Sequence, residues 1–274
     1  MIDLFSHIWN SSLKSLVTET RMKLSGVRGD SAEEERLKGV SRFVSGETSL
    51  LGRSVKYVDA PSYLFMRREI FESEIYRFQC STQNPYIIDC GANIGLSVIY
   101  FKKLYPDSTI LAFEPDVNIF SVLSENMATF ALQGVTLSNK ALWSEEARVP
   151  FIQEGADGGR IDASISGSPC TVTATTLSQY LVKHVDFLKL DIEGAEGDVL
   201  EECREGLAHV ERMFLEYHSA HGEPQQLGRI LEILRGAGFR YYIEHIGITS
   251  GHPFIHRHTC NNFDNQLNIY AYRP

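Results

Sequence analysis

The stretch of sequence that decides the fold spans residues 86–114 and reads YIIDCGANIGLSVIYFKKLYPDSTILAFE. Its opening, Tyr86–Cys90, is an apolar run of the length typical of a buried strand. A turn with two glycines follows at residues 91–95, and Leu96–Tyr105 is then predicted to form a helix that a proline ends. The next strand is predicted at Thr109–Glu114. This order of strand, glycine turn, helix and strand is typical of a parallel sheet covered by helices.

The same alternation of strands and helices continues to the end of the chain. Further strands are predicted at Val135–Asn139, Phe187–Asp191, Arg212–Glu216, Tyr241–Ile246 and Leu267–Tyr272. The last two are expected to close the sheet as an antiparallel pair. We therefore predict an α/β, Rossmann-like fold, with a mainly parallel seven-stranded sheet, helices on both faces and an antiparallel last strand.

The N-terminal region differs in pattern from the rest, which predicts an extension (residues 1–68) followed by the main domain (residues 69–274). The extension opens with apolar residues at helical spacing, Ile2, Phe5, Trp9, Leu13, Leu16 and Val17. We expect this helix to pack on its own domain or on a partner subunit, which makes a homodimer conceivable. A helix lying on a membrane surface is the alternative. An irregular stretch rich in glycine, serine and charge follows it.

Composition excludes several classes of partner. The formal net charge of −9 disfavours nucleic acid, because phosphate binding requires a basic surface. No apolar run reaches the roughly 18–20 residues that a membrane-spanning helix needs. The five cysteines are odd in number and scattered, which predicts reduced thiols and a cytoplasmic protein.

The glycine turn distinguishes between two classes of cofactor. Dinucleotide-binding folds use G-x-G-x-x-G, whose second glycine lets the backbone approach a pyrophosphate. Here Asn93 occupies that second position, between Gly91 and Gly95, so a pyrophosphate would be crowded. S-adenosylmethionine carries no phosphate, and its carboxylate can use the N–H groups at the start of the helix, with Ala92 in the turn. The turn therefore favours S-adenosylmethionine over a nicotinamide dinucleotide, although a dehydrogenase and an α/β protein without cofactor stay open.

Three side chains at predicted strand ends complete the expected cofactor site. Asp89 can accept a hydrogen bond from the ammonium of the methionine moiety. Glu114 stands where an acidic side chain usually binds ribose hydroxyls. Asn139 ends the third strand, where it can bind the adenine edge, or it can simply form a turn.

Beyond these patterns, several motifs resemble those of the FkbM family of methyltransferases. The run IIDCGANIGLSVIYF resembles its D-x-G-A-N-x-G signature, and FEPD at Phe113–Asp116 is similar to a second family motif. LKLDIEGAE at Leu188–Glu196 resembles the K-x-D-x-E-G-A-E block. TTLSQYL before it resembles a T-x-L-D stretch, but Ser178 replaces the usual acid. The resemblance begins at about Glu69 and implies O-methylation, commonly of a sugar hydroxyl on a polysaccharide, glycolipid or natural product.

Methyl transfer requires a group that positions the acceptor and takes its proton. Asp191 ends the fourth strand, and Glu216 and His218 end the fifth, so these three residues are the catalytic candidates, with Asp191 also expected to touch the cofactor. His218 is a candidate general base because its unperturbed pKa is near neutral, or it is only a packing residue. Glu193 is predicted to contact substrate, although either Glu193 or Glu196, which flank the next turn, can instead cap the following helix.

The histidines near the C-terminus do not match a known zinc spacing. The order H-x3-H-x-H-x-C ends at Cys260 and corresponds to none of the usual zinc motifs. We therefore predict no metal site and assign His256 to a loop that faces the substrate.

Three functions follow in order of preference. The first is an O-methyltransferase that acts on a small-molecule or glycan acceptor. An N-methyltransferase of the same fold is the second, because carboxylates at strand ends can also take a proton from an amine. A non-catalytic Rossmann-like binding module is the third.

Overall fold

The computed structural model describes the chain over residues 31–156, 158–161, 170–247, 250–256, 259 and 263–274. Contacts among Cα atoms divide the chain into two compact units, residues 1–79 and 80–274. The helix predicted at the start of the chain lies outside the described residues. The predicted domain boundary between residues 68 and 69 falls inside the first unit and stays a prediction.

The described part of the first unit combines short helices with a hairpin. Its elements are α1 (Ser31–Lys38), β1 (Gly46–Leu50), β2 (Arg53–Tyr57), α2 (Ala60–Arg67) and a π-helical turn (Arg68–Glu72). β1 and β2 pair antiparallel, and the two residues between them, Leu51 and Gly52, have φ values of 52° and 77°. Positive φ at both positions is what a tight two-residue hairpin requires. Asp59 begins α2 by accepting the backbone N–H of Ser62 at 3.0 Å.

The second unit is built on a seven-stranded sheet. Its strands are β3 (Tyr86–Cys90), β4 (Thr109–Phe113), β5 (Val135–Ser138), β10 (Phe187–Leu190), β11 (Arg212–Ala220), β12 (Arg240–Ile246) and β13 (Phe263–Tyr272). The order across the sheet is β12-β13-β11-β10-β3-β4-β5. The pairings from β11 to β5 are parallel, whereas β13 is antiparallel to both of its neighbours. The predicted α/β class is confirmed, and the sheet is mixed.

A smaller sheet accompanies the main one. It consists of β6 (Ala141–Leu142), β7 (Arg148–Ile152), β8 (Arg160–Ile161) and β9 (Thr171–Thr175), in the order β6-β9-β7-β8. β7 and β9 pair antiparallel. The buried side chains of Val149, Phe151 and Val172 give this sheet an apolar core of its own.

Helices cover both faces of the main sheet. They are α3 (Leu96–Leu104), α4 (Val117–Thr129), α5 (Glu196–Glu202) and α6 (Leu227–Gly236). Because side chains alternate along a strand, Phe187 and Leu188 of β10 point to opposite faces. Phe101 of α3 lies 5.4 Å from Phe187, measured between ring centroids, whereas Val199 of α5 and Ile230 of α6 share a buried cluster with Leu188. In the parts of the chain that the structure describes, no helix is both long and apolar enough to cross a membrane.

Candidate functional site

The carboxyl ends of β3, β10 and β11 lie side by side at one edge of the main sheet. Leu190 of β10 pairs with Cys90 on one side and with Leu215 on the other. The N–H of Asp191 then donates to the carbonyl of Cys90 at 3.1 Å. Ligands of open α/β sheets bind at this edge, and the structure brings the glycine turn and the predicted catalytic residues together here.

β11, the fifth strand of the main sheet in chain order, is longer than the sequence predicts. β11 continues to Ala220, so Glu216 and His218 lie within the strand and not at its end. Being two residues apart, they point to the same face of the sheet. The extension thus places both side chains over the edge where Asp191 follows β10.

The two glycines of the turn have different roles. Gly91 has a φ of 92°, and a Cβ atom there would lie 1.9 Å from the carbonyl oxygen of Asp191. Gly95 has a φ of 93°, and a Cβ atom there would lie 2.5 Å from Met127 and 2.7 Å from Leu123, both on α4. Gly91 therefore permits the close approach of two loops at the site. Gly95, predicted as a cofactor residue, is required for the packing of α4 against the start of α3.

The backbone N–H groups of the turn are all engaged within the protein. Gly91 and Ala92 donate to the carbonyl of Phe113 at 3.1 and 2.8 Å, and Gly95 donates to the carbonyl of Ala92 at 2.8 Å. The remaining two N–H groups bind side-chain oxygens: that of Asn93 binds Glu114, and that of the next residue binds Oδ1 of Asn93. Each of the five N–H groups therefore has an acceptor within the protein in this conformation, and their use by a cofactor carboxylate stays a prediction.

Glu114 connects the turn after β3 with the turn after β4. Its buried carboxylate accepts the N–H of Asn93 at 3.0 Å and that of Asp116 at 2.8 Å. Burial raises the pKa of Glu114 to about 7. Asn139 donates its amide to the carbonyls of Glu114 and Pro115 at 2.8 and 3.0 Å, as a residue that shapes a turn would. Ribose and adenine contacts of these two residues stay predictions.

A buried lysine joins the two aspartates of the site. The Nζ atom of Lys189 lies 3.4 Å from Asp89 and 3.1 Å from Asp191, and it donates to the carbonyl of Gly91 at 2.8 Å. Asp89 is fully enclosed, also accepts the hydroxyl of Ser97, and has its pKa raised by burial. Lys189 thus braces a buried acid. Asp89 itself is enclosed by protein groups, whereas the side chain of Asp191 is 21% exposed.

His218 stands among three carboxylates. Its Nδ1 atom lies 3.1 Å from Glu196, and its Nε2 atom lies 3.3 Å from Glu216 and 3.5 Å from Glu193. Asp191 completes the group, since single ligand atoms of Asp191, Glu193 and His218 all lie within 4.8 Å of one another. The His218 ring also contacts Phe263, with 4.9 Å between centroids. The structure therefore assembles a carboxylate–histidine cluster from two strand ends.

The cluster shifts the protonation of its members. Burial alone would lower the pKa of His218, but the carboxylates of Glu193, Glu196 and Glu216 outweigh it and hold that pKa well above its usual value. Burial raises the pKa of Glu193 well above the usual range, and it also raises the pKa of Glu216, to which the charge of Asp191 adds. Without an ion in the cluster, these carboxylates favour the protonated form of His218, and its role as general base stays a prediction.

Glu196 fixes the loop that carries Glu193. It is the first residue of α5, almost fully buried, and its carboxylate accepts the N–H of Gly194 at 3.0 Å. The same oxygen atom faces Nδ1 of His218. Glu196 thus joins the start of α5 to β11, a link that local sequence patterns do not reveal.

A cavity of about 220 Å³ opens beside the cluster. Its walls are formed by the start of α5, the end of β11 and parts of the small sheet, and include Trp143, Arg160, Glu193, His218 and Phe263. Trp143, Arg160 and Phe263 were missed by sequence reasoning, because they come from three separate elements. His256, predicted to contact substrate, is exposed and is not among the described residues that line this cavity.

Comparison with known proteins identifies a family. The model of the methyltransferase FkbM domain matches residues 89–241. "Methyltransferase 1" of Beauveria bassiana is 31% identical over 162 residues, which are 50% of this chain and 65% of that protein. "2-O-methyltransferase NoeI" of Sinorhizobium fredii is 26% identical over 156 residues, covering 49% and 63% of the two chains. The chain thus spans less than two thirds of these two relatives.

Two further similarities cover more of the chain. "31-O-demethyl-FK506 methyltransferase FkbM" of Streptomyces tacrolimicus is 25% identical over 240 residues, 73% of this chain and 90% of that protein. The crystal structure of methyltransferase FkbM from Methylobacillus flagellatus KT shares 19% identity at a TM-score of 0.47, covering 73% of this chain and 46% of that one.

Proposed function

The chain belongs to the FkbM methyltransferase family, and on that premise we propose that it transfers a methyl group from S-adenosylmethionine to a hydroxyl oxygen of its acceptor. The acceptor we propose is a sugar of a glycan, a glycolipid or a glycosylated natural product. The names of two relatives, a 2-O-methyltransferase and a 31-O-demethyl-FK506 methyltransferase, support oxygen as the accepting atom.

The observation that carries the proposal is the position of two partly exposed carboxylates. Asp191 is hydrogen-bonded through its backbone to the last residue of β3, directly before the glycine turn. Glu216 lies 3.3 Å from His218, which lines the cavity. One carboxylate thus adjoins the proposed cofactor turn, and the other adjoins a residue that lines the proposed acceptor cavity.

The chemistry of the donor set fits S-adenosylmethionine. This cofactor presents an ammonium, ribose hydroxyls and a sulfonium, and each of these is either a hydrogen-bond donor or a cation. Glu114 and Asp191 supply carboxylates directly after β4 and β10, and Glu216 supplies one from within β11. A dinucleotide would instead place two phosphates beside these carboxylates, at a turn whose N–H groups are already used. Because Asp89 is enclosed, we give it the task of holding Lys189 and assign Asp191 to the side of the cofactor where the sulfonium faces the acceptor hydroxyl.

The bound cofactor supplies an activated methyl group, so the protein has to align the acceptor oxygen and remove its proton. Asp191 orients the acceptor hydroxyl, and Glu216 takes its proton. The raised pKa of Glu216, caused first by burial, makes it the better proton acceptor near neutral pH. His218 holds the carboxylates in place by bridging them.

The cavity suits a polyhydroxylated acceptor. Trp143 and Phe263 offer flat apolar faces, and Arg160 and Glu193 offer hydrogen-bonding groups of both charges. A site with a few polar groups among aromatic side chains orients a ring while it excludes water.

Isotope transfer tests the proposal. The protein is incubated with S-adenosylmethionine labelled in the methyl group, with a panel of methyl glycosides and the matching amino sugars. We expect label in methyl ethers, and an Asp191→Asn variant at saturating cofactor should transfer at least about 100-fold more slowly because the acceptor hydroxyl is no longer oriented toward Glu216.

Glu201→Gln provides the matched control for that variant. Glu201 is a carboxylate on α5 that pairs with Arg204 and Arg229, outside the cluster, and its removal should leave transfer unchanged. Cofactor affinity is measured separately by calorimetry for each variant. Undiminished transfer by Asp191→Asn, or label found on nitrogen, would contradict the proposal.

A further inference from the structure

We propose that Asp191, Glu193 and His218 bind a divalent cation of the Mn²⁺ or Mg²⁺ class, and that this ion holds the acceptor hydroxyl at the site. The second part rests on the proposed function, whereas the first does not. Sequence reasoning predicted no metal site. It missed this one because the ligands come from two strands that are neighbours only in the folded sheet.

The spacing of the ligand atoms is the first reason. One oxygen each of Asp191 and Glu193 and one nitrogen of His218 lie within 4.8 Å of one another. Around an octahedral ion with bonds of about 2.1 Å, adjacent ligands lie roughly 3.0 Å apart and opposite ones roughly 4.2 Å apart. The three donors therefore need to close by at most about 1.8 Å to coordinate one ion.

The orientation of His218 is the second reason. Its Nδ1 atom is occupied by Glu196, a buried carboxylate outside the proposed ligand set, so the ring presents Nε2 to the cluster. An outer carboxylate that fixes the ring through its other nitrogen is the usual support of a metal-binding histidine. The Nε2 atom lies 3.3 and 3.5 Å from Glu216 and Glu193, which is long for a charge-assisted hydrogen bond.

The balance of charge is the third reason. Around Lys189 and His218 stand the five carboxylates of Asp89, Asp191, Glu193, Glu196 and Glu216. Asp89, Glu196, Lys189 and His218 are buried, and water screens such charges poorly. A divalent cation that displaces the proton from Nε2 of His218 would offset the negative charge of the ligand carboxylates. Carboxylate oxygens with a single imidazole form a mostly hard donor set, which favours Mn²⁺ and Mg²⁺ over softer ions.

The ion would divide the work of the site between two groups. Asp191 becomes a ligand, which leaves Glu216 as the proton acceptor. As the bond from the acceptor oxygen to the methyl carbon forms, the carbon–sulfur bond breaks and its electron pair stays on sulfur. The hydroxyl proton passes to Glu216. Glu193 and His218 also line the cavity, so an ion held by them faces the space proposed for the acceptor.

Manganese binding tests the site without cofactor or acceptor. The full chain is treated with chelator, desalted and titrated with Mn²⁺ alone, and free Mn²⁺ is followed by electron paramagnetic resonance. We expect one ion per chain with a dissociation constant below about 1 mM, and competition by Mg²⁺. Glu193→Gln should weaken binding at least tenfold. Glu193 is partly exposed, so this change should leave the fold intact, as circular dichroism would check.

Two controls make the test specific. Glu201→Gln should bind Mn²⁺ like the unaltered protein, whereas Glu216→Gln should keep Mn²⁺ affinity within about threefold and lose methyl transfer. Equal affinity in the Glu193 and Glu201 variants, or no saturable binding, would overturn the metal site. Full transfer in excess chelator would overturn the ion's role in the reaction and leave the proposed function standing. Saturable Mn²⁺ binding without methyl transfer to any acceptor would overturn the proposed function and leave the metal site standing.

Discussion

At the scale of single residues, the site depends on charges that are compensated inside the protein. Lys189 touches Asp89, Asp191 and the carbonyl of Gly91, so one buried cation joins the end of β3 to the end of β10. The sequence shows a single lysine within an apolar strand, and a buried lysine of this kind needs an acidic partner. The enclosure of Asp89 does not follow from the sequence, because it depends on Ser97 and on the packing of α3.

Glu114 leads to a prediction about stability and pH. Its pKa of about 7 in the folded protein exceeds the ordinary value of 4.5, so between these values the folded state holds a proton that the unfolded chain releases. The free energy of unfolding should therefore fall as pH rises from about 4.5 to about 7, by on the order of 3 kcal/mol from this residue. Glu114→Gln should remove this part of the pH dependence.

Denaturant unfolding of the two proteins at pH 5 and pH 8 measures the difference. Glu145→Gln, which alters an exposed carboxylate in the turn after β6, serves as the control. Its free energy of unfolding should depend on pH as that of the unaltered protein does. If the free energy of unfolding changed with pH equally in the Glu114 variant and in the unaltered protein, the protonation of Glu114 would not be linked to folding.

At the scale of elements, the sequence predicts the position of the turn between β3 and α3 but not its hydrogen bonds. The spacing of its glycines indicates the position of the site, and its strand and helix occur where they are predicted. The destination of its N–H groups is not readable from the sequence. They bind Phe113, Glu114, Ala92 and Asn93, and the first two of these partners belong to the neighbouring β4 region.

Gly91 and Gly222 offer a matched pair of substitutions. Their φ values are 92° and 90°, but a Cβ atom at Gly91 would meet the Asp191 carbonyl at 1.9 Å, whereas one at Gly222 would meet nothing within 4 Å. Gly222→Ala should cost about 1 kcal/mol of unfolding free energy through backbone strain alone. Gly91→Ala should cost at least about 3 kcal/mol and weaken S-adenosylmethionine binding more than tenfold. Chemical denaturation and calorimetry measure both effects, and equal costs at the two positions would contradict the proposed close approach.

At the scale of the whole molecule, strand order converts distant sequence segments into one site. A parallel sheet with β10 between β3 and β11 must place residues 91, 191 and the end of β11 at one edge, so their proximity is predictable from topology. The cavity is not predictable in this way. Trp143, Arg160 and Phe263 reach it from the small sheet and from β13, and their arrangement depends on tertiary packing. His256 is not among the described residues that line the cavity, so its predicted contact with substrate stays a prediction.

The proposed methyl transfer requires a cofactor that lies beside Gly91 and directs its sulfur toward Asp191. A crystal structure of the full chain with S-adenosylhomocysteine, the demethylated product, tests this most directly. We predict that the compound is bound at the turn after β3, with its ribose on Glu114 and its sulfur facing Asp191 and the cavity. An empty turn at saturating S-adenosylhomocysteine, or a nicotinamide dinucleotide bound there instead, would contradict the account.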